Sequence, residues 1–372
     1  MIHPHYNVRI DTSSLVFNLG QVKRLVGPDV KIMGIVKSDA YGHGLAEVSR
    51  VLERNGIYSL GTAFIHEALK LREIGIRAPV IVLCGIGSTE EAMAAVENDL
   101  TPVIFDMPSA ALLALAAEKR SKRTKIQVKI DTGMGRLGVN HKDAVAFLNE
   151  IARFSWLNIE GLMSHLSSAD GDAGFTESQI RNFSNSIDAA RETGMDLRLN
   201  SLANSAGVMN HKASYFDMVR PGIMLYGGLP SPGFAPPLEL KPVMRFSARI
   251  LQIREMPDKT PISYGRRYYT DGVKRIAVIS AGYGDGIPRS LTNKGRVIIK
   301  GQKADIVGTV CMNLTLCDVT AIKDAAAEDE AVFLGRQGQE IISGDDIASL
   351  NDTISYEIFI SIGKGVNKEY IG

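Results

Sequence analysis

Cysteine is scarce in this chain, and its placement excludes two classes of protein. The three cysteines are Cys84, Cys311 and Cys317. They do not form the closely spaced pairs of a zinc site, and three thiols among 372 residues are too few for a disulfide scaffold. We therefore expect a protein without a metal site whose thiols stay reduced, as they do in the cytoplasm.

An excess of charge of one sign is also lacking, because 42 Lys and Arg face 41 Asp and Glu, for a formal net charge of +1. A dedicated nucleic-acid binder needs a basic excess, so no nucleic-acid partner is predicted. No apolar run approaches the roughly 20 residues of a membrane span, and Met1–Asp11 carries no apolar signal-peptide stretch. These absences predict a cytoplasmic protein without a membrane partner.

A regular alternation of strands and helices is present between Val30 and Leu229. This rhythm is typical of a parallel sheet with both faces covered by helices. The strands are predicted at 31–36, 58–61, 79–83, 102–105, 126–130, 159–163, 197–200 and 218–226. Eight strands in this span favour an α/β fold closed into a (β/α)8 TIM-type barrel, with a doubly wound sheet as the alternative. The letters G-x-G-x-x-G at 133–138 are weak evidence for a dinucleotide site, because they follow the fifth strand.

The composition changes at a proline-rich linker, 230–242, and the rest of the chain is predicted to be mainly β. Strands are predicted at 245–253, 275–280, 296–299, 305–310 and 331–334. The predicted domains are therefore a barrel at 11–238 and a β-rich C-terminal domain at 239–372. The N-terminal segment 1–10 is a candidate extra strand of the second domain.

Polar and cationic residues gather where the predicted barrel strands end, which is where TIM barrels carry their functional groups. Several cations around one mouth predict an anionic ligand. A lysine desolvated there has a lowered pKa and can form a Schiff base. Such a lysine, a phosphate cup and a partner for a pyridine nitrogen are what pyridoxal 5'-phosphate (PLP) requires. The residues at these strand ends are Lys37, Lys129, Arg136, His165, Asn204, Ser205, Arg220 and Gly222.

Motifs along the whole chain resemble those of the alanine racemase family, which are fold-type III PLP enzymes. The stretch GIVKSDAYGHG at 34–44 contains Lys37, and KIDTGMGRLG at 129–138 contains Arg136. Further similar stretches are SHLSSAD at 164–170, ANSA at 203–206, VRPGIMLYG at 219–227, ISYG at 262–265, GYGDG at 282–286, VCM at 310–312 and ISYE at 354–357. Each stretch alone is weak evidence, but together and in order they are specific.

The resemblance implies PLP-dependent interconversion of L-alanine and D-alanine, with D-alanine supplied for cell-wall peptidoglycan. It implies a two-base mechanism in which Lys37 carries the cofactor and acts on one face of the substrate. Tyr264 of the partner subunit would act on the other face, so the resemblance also implies a homodimer with shared active sites. Arg220 would face the pyridine nitrogen, and His165 would link Arg220 to that tyrosine.

The resemblance also implies which residues hold the two anionic groups. Arg136 and Met312 of the partner subunit would receive the substrate carboxylate. Lys129 and Tyr283 would support the site, the first by fixing Arg136 and the second by lining the substrate entrance. The cofactor and its phosphate would be held by Tyr41, Asn204, Ser205, Gly222, Ile223 and Tyr356.

The chain departs from the family pattern at two places. Thr309 and Asn313 stand where the family usually has Arg and Asp, and we hypothesise that this neutral pair changes the polarity of the entrance and widens substrate choice. The stretch 361–366 also differs, which puts the contacts of the C-terminal tail in doubt. The alternatives that stay open are a racemase of broader specificity, acting on serine or other amino acids, and a non-catalytic PLP-binding protein.

Overall fold

The computed structural model describes residues 5–372, so the first four residues of the candidate strand at 1–10 lie outside the described residues. Within that range the chain forms an N-terminal (β/α)8 barrel followed by a mainly β domain, and the predicted fold class is confirmed. In the same range, no helix is both long and apolar enough to cross a membrane.

The barrel is a closed ring of parallel strands. The first six strands pair in order, the first also pairs with the last, and Ser201 closes the ring between the sixth strand and the last. In some strands every residue is buried, as in Val80–Val82 and Leu100–Ile104, which a parallel strand covered on both faces requires. The strands are Lys31–Ile35, Ser59–Thr62, Val80–Val82, Leu100–Ile104, Thr124–Asp131, Leu157–Met163 and Met218–Val219, with Val139–Asn140 added beside Thr124–Asp131.

The seventh position of the ring is filled by Ser201, which bridges Met163 and Met218. The predicted strand at 197–200 is therefore wrong. The reason is that the Asn200 side chain replaces a ladder bond, since its Oδ1 accepts from the Leu162 N–H at 3.0 Å.

Helices surround the ring. The first of them, Thr12–Val26, was not predicted, because it precedes the first barrel strand and so falls outside the strand–helix alternation. Asp11 begins this helix by accepting from the backbone N–H groups of Ser13 and Ser14. The others are Leu45–Arg54, Ile65–Glu73, Thr89–Glu97, Met107–Lys119, Ala144–Ile151, Ala173–Glu192 and Ser205–Asn210.

The second domain is built on the long strand Met244–Met256. This strand pairs antiparallel with Tyr6–Asp11, Lys274–Ile279 and Glu330–Gln337. Strand Lys368–Ile371 lies parallel to Tyr6–Asp11, so both ends of the chain meet in this sheet. The remaining elements are strands Pro261–Ile262, Tyr268–Tyr269, Arg296–Ile299, Gln302–Asp305, Thr315–Asp318 and Glu340–Ile342, and helices Gly344–Ser349 and Ser355–Gly363.

The predicted strand at 305–310 is also wrong. The observed strand is Gln302–Asp305, and beyond it only Ile306 forms a bridge, with Cys317. Gly308 then turns the chain with a φ of 73°, a conformation that ends an extended run.

Candidate active site

A cavity of about 540 Å³ opens at the C-terminal ends of the barrel strands. Its volume is within the range of small-molecule sites, about 300–1,000 Å³. Every barrel residue that the sequence predicted for the site lines this cavity, and so does Tyr356 from the second domain. These residues are Lys37, Tyr41, Lys129, Arg136, His165, Asn204, Ser205, Arg220, Gly222, Ile223 and Tyr356.

Lys37 enters the cavity just after strand Lys31–Ile35. Burial, and then the positive charge of Arg136, lower the pKa of Lys37 from its usual value. A larger fraction of this amine is therefore neutral near pH 7, which makes its Nζ a better nucleophile and base.

The chain leaves Lys37 in a left-handed turn. The four consecutive non-glycine residues 38–41 have φ values of 53° to 55°, and Gly42 continues with a φ of 80°. The turn has helical bonds, in which the Ala40 N–H donates to the Val36 carbonyl at 2.8 Å and the Gly42 N–H to the Ser38 carbonyl at 3.0 Å. A left-handed helix costs about 1–2 kcal/mol for each L-residue, so the surroundings must stabilise this turn.

Arg220 lies at the floor of the cavity and is only 4% exposed. It donates to the Ser201 Oγ at 2.7 Å and to the Leu202 carbonyl at 3.2 Å. Burial, and then Arg136, lower the pKa of Arg220 to about 9, so it is still a cation at neutral pH.

His165 stands beside Arg220, with its Nδ1 3.2 Å from an Nη of the guanidinium. Burial, and then the charge of Arg220, hold the pKa of His165 well below its usual value, so the ring is neutral at pH 7. Because a guanidinium only donates, Nδ1 is the acceptor and the ring proton sits on Nε2. The ring therefore offers one N–H donor on the side away from Arg220.

A group of neutral hydroxyls surrounds Gly222. The Ser205 Oγ accepts from the Gly222 N–H at 3.0 Å, and a Cβ at Gly222 would lie 2.5 Å from the Tyr41 Oη. Only glycine allows Tyr41 to come this close. Burial raises the pKa of both Tyr41 and Tyr356, so both phenols keep their protons and act as donors. Asn204 fixes the neighbouring segment by accepting from the Gly207 N–H at 3.0 Å.

Arg136 is presented by the glycine-rich loop at 133–138. The Asp131 carboxylate accepts from the N–H groups of Gly133 and Met134, each at 2.8 Å, and from that of Gly135 at 2.9 Å. The three glycines of the loop all have positive φ. The G-x-G-x-x-G letters thus belong to a tight loop that an aspartate holds.

Lys129 lies on the cavity wall near both arginines. Burial is the main cause that holds the pKa of Lys129 well below its usual value, followed by the charges of Arg220 and Arg136. Lys129 is therefore a second amine of lowered pKa in the same cavity.

The three predicted residues of the second domain are placed differently. Tyr264 is 72% exposed, Met312 58% and Tyr283 43%. Among the described residues that line the barrel cavity, none of these three is included. The structure of one chain therefore does not bring them to Lys37.

Tyr264 and its neighbours are nevertheless held firmly. The Thr309 Oγ1 donates to the Tyr264 carbonyl at 2.7 Å, and the Ser263 Oγ donates to the Thr309 carbonyl at 2.6 Å. The Tyr283 N–H donates to the Cys311 carbonyl at 3.0 Å, which brings the loops of Tyr283 and Met312 together. Thr309 itself is buried and ties the Tyr264 segment in place.

Sequence reasoning missed Cys84, which lines the cavity and follows strand Val80–Val82 after one intervening residue, Leu83. The predicted third strand ended at Leu83, so Cys84 already stood at a functional strand end. A thiol is neither cationic nor a strong donor, so the residue types that indicate an anion site do not include it.

The chain matches the family models of both domains of alanine racemase, the N-terminal domain over residues 10–230 and the C-terminal domain over residues 243–370. It is 41% identical over 362 residues to the alanine racemase of Halothermothrix orenii, covering 97% of this chain and 95% of that protein.

Solved structures agree with the sequence comparison. The alanine racemase of Streptomyces lavendulae, a D-cycloserine producer, superimposes with a TM-score of 0.93 at 30% identity, covering all of this chain and 98% of that one. The alanine racemase of Bartonella henselae with covalently bound pyridoxal phosphate gives a TM-score of 0.89 at 27% identity, covering 99% of this chain and all of that one. With family models that cover both domains and a relative matched over nearly its full length, this chain belongs to the alanine racemase family.

Proposed function

We propose that this protein interconverts L-alanine and D-alanine with PLP as cofactor, as a cytoplasmic homodimer that supplies D-alanine for peptidoglycan. The observation that carries the proposal is the cavity itself, in which an amine of lowered pKa faces two arginines and a cup of hydroxyl donors. Membership of the family and the covalently bound pyridoxal phosphate of the Bartonella henselae relative support the same conclusion.

The residues of the cavity fit PLP at three points. Lys37 is the amine that would hold the aldehyde carbon. The hydroxyls of Tyr41, Ser205 and Tyr356 would hold the phosphate, and the absence of a Cβ at Gly222 allows the Tyr41 hydroxyl to take its place there. Arg220 would face the pyridine nitrogen, and because a guanidinium only donates hydrogen bonds and does not give up its proton, it would leave that nitrogen unprotonated.

When bound, PLP supplies an electron sink that makes the Cα–H of an attached amino acid more acidic. Lys37 then takes or returns the proton at Cα on one face, and its lowered pKa keeps the amine available as a base. Tyr264 of the partner subunit does the same on the opposite face. Arg136, with the Met312 N–H of the partner subunit, receives the substrate carboxylate.

The positive charge of the cavity also suits a tyrosine base. A free tyrosine titrates near pH 10, so at pH 7 only about 0.1% of it is ionised. Arg136 and Arg220 favour a phenolate by charge attraction, and the Nε2–H of His165 can donate to its oxygen. The exposure of Tyr264, Tyr283 and Met312 in one chain supports their use by a second copy.

The decisive experiment is to trap the bound cofactor. The purified protein is incubated with PLP, reduced with borohydride, and mapped by mass spectrometry, while alanine turnover is followed by chiral chromatography. We expect the reduced cofactor on Lys37 and racemisation of both enantiomers. Lys129 is the internal control, because it is a second cavity amine of lowered pKa. A label on Lys129 instead, or bound PLP without turnover of either enantiomer, would overturn the assignment.

One observation favours a second candidate, a racemase of broader specificity. Asn313 donates to the Asp285 carboxylate at 3.2 Å, next to the loop of Tyr283, where the family usually has a second carboxylate. Asn313→Asp would place two acids together and repel this contact. If Asn313 sets the substrate range, the turnover ratio of serine to alanine falls in the variant, and an unchanged ratio refutes that role.

A further inference from the structure

We propose that the C-terminal strand Lys368–Ile371 positions the catalytic lysine by clamping the left-handed turn at 38–42, with Lys368 as the positioning residue. This inference rests on the proposed function, because it assigns the clamp to the lysine that would hold PLP. The strand belongs to the second domain, whereas the turn belongs to the barrel.

The turn has a conformational cost that its own bonds do not remove. Four L-residues in the left-handed region cost about 1–2 kcal/mol each, and such residues normally occur singly. Without outside contacts, the segment after Lys37 would relax and the direction of the Lys37 side chain would change with it.

Asp39, in the middle of the turn, links it to two other segments. Its Oδ1 accepts from the Leu45 N–H at 2.7 Å, at the start of the next helix. Its Oδ2 accepts from the Lys368 Nζ at 2.9 Å. The Lys368 side chain is only 8% exposed, so this ion pair is largely shielded from water on the lysine side.

The strand and the preceding helix Ser355–Gly363 make three further contacts with the turn and with His43, which follows it. The Tyr370 Oη donates to the His43 carbonyl at 3.3 Å. A Cβ at Gly363 would lie 2.0 Å from the Gly42 carbonyl oxygen, and a Cβ at Gly42 would lie 2.4 Å from the Phe359 carbonyl oxygen. These backbones are in direct contact, and helix Ser355–Gly363 also supplies Tyr356 to the cavity wall.

The contacts between the turn and the C-terminal strand therefore link the barrel to the second domain. On one side the link ends at Lys37, directly before the turn, and at Tyr41 within it, and both residues line the cavity. On the other side it ends in the sheet, where Lys368 is paired with Val8 of the N-terminal strand. Lys368 touches no atom of the cavity, and its effect on the reaction passes through the turn.

The test compares Lys368→Met, which removes the charge but keeps the stem, with Lys368→Arg, which keeps the charge. Glu369→Gln is the matched control, because Glu369 lies on the same strand and pairs with Arg9 at 2.7 Å, away from the turn. For each protein we would measure PLP affinity, kcat and KM at saturating PLP, and the thermal midpoint without cofactor.

We expect Lys368→Met to bind PLP about tenfold more weakly and to lose kcat with little change in KM, whereas Lys368→Arg recovers most of both. Asp39→Asn should give a similar loss, and combining it with Lys368→Met should add little further loss, because both remove one contact. If Lys368→Met keeps the affinity and kcat of the wild type, or if Glu369→Gln loses as much, the clamp is refuted. If the wild type itself binds no PLP, the proposed function fails instead.

Discussion

The barrel cavity and the exposed loops of the second domain hold their functional groups in opposite ways. In the cavity, Arg220 is 4% exposed and fixed by neighbours from several strands, and burial shifts the pKa of the lysines and His165. On the loops, Tyr264 is 72% exposed and only its backbone is fixed.

The difference teaches that one chain assembles the whole cavity proposed for the cofactor, whereas the proposed second base, Tyr264, lies outside that cavity. In a buried site, desolvation by the chain itself shifts the pKa values of the side chains. An exposed tyrosine has no such environment until another surface covers it. We expect that surface to be the cavity of a second copy.

The largest expected effect comes from separating the two regions genetically. Lys37→Met and Tyr264→Phe should each lower racemisation by at least about 1,000-fold, because each removes a base or the cofactor attachment. Mixed and allowed to exchange subunits, the two dead proteins should recover about a quarter of wild-type activity, since about half of the dimers are hybrids and each hybrid has one intact site of two.

The control for this mixing experiment is Lys37→Met combined with the double variant Lys37→Met/Tyr264→Phe. No hybrid of these two contains an intact lysine, so activity should stay absent. If the first mixture also stays inactive although hybrids form, Tyr264 does not serve the neighbouring site.

The next effect separates the two faces of the substrate. In Tyr264→Phe, racemisation should fall equally in both directions, because the two enantiomers have equal free energy. Exchange of the Cα proton with deuterated solvent should persist for the enantiomer that Lys37 serves and be lost for the other. Proton NMR of each enantiomer measures this, and equal loss of exchange for both would contradict the two-face assignment.

Much of this site followed from the sequence, and the reasons for success and failure are physical. The C-terminal ends of the strands of a parallel barrel lie on one face, so the sequence alone predicts that Lys37, Arg136 and Arg220 belong to one site. The strand at 197–200 was mispredicted because a side chain, Asn200, makes the bond that a pattern search assigns to the backbone. The boundary at 238–239 and the roles of the site residues stay predictions.

The left-handed turn after Lys37 could not be foreseen either. Ser38 and Ala40 carry no local signal for positive φ, since glycine adopts it freely and, among the other residues, mainly Asn and Asp. The contacts that stabilise the turn come from residues more than 300 positions later in the chain, such as Lys368. Local sequence periodicity does not predict a long-range contact of this kind.

A smaller effect concerns the charge of Arg136 in the cavity and its influence on Lys37. The charge of Arg136 is one of the causes that lower the pKa of Lys37. In Arg136→Met that pKa should rise, so the pH midpoint for covalent PLP attachment should move to higher pH and attachment near pH 7 should slow. Stopped-flow absorbance measures the rate, with Arg198→Met as a control in which an exposed arginine far from the cavity is removed. A midpoint that does not move would show that burial alone sets the reactivity of Lys37.

The smallest effect concerns the loops. Thr309→Val removes the hydroxyl that donates to the Tyr264 carbonyl while keeping the shape of the side chain. A neutral hydrogen bond contributes about 0.5–1.5 kcal/mol, so kcat should fall about fivefold while PLP attachment at Lys37 stays unchanged. Thr309→Ser keeps the hydroxyl and should retain the kcat of the wild type. Because Tyr264 and its neighbours do not line the cavity of their own chain, a loss of PLP attachment in Thr309→Val would mean that the Tyr264 loop acts on the cofactor site as well as on the base.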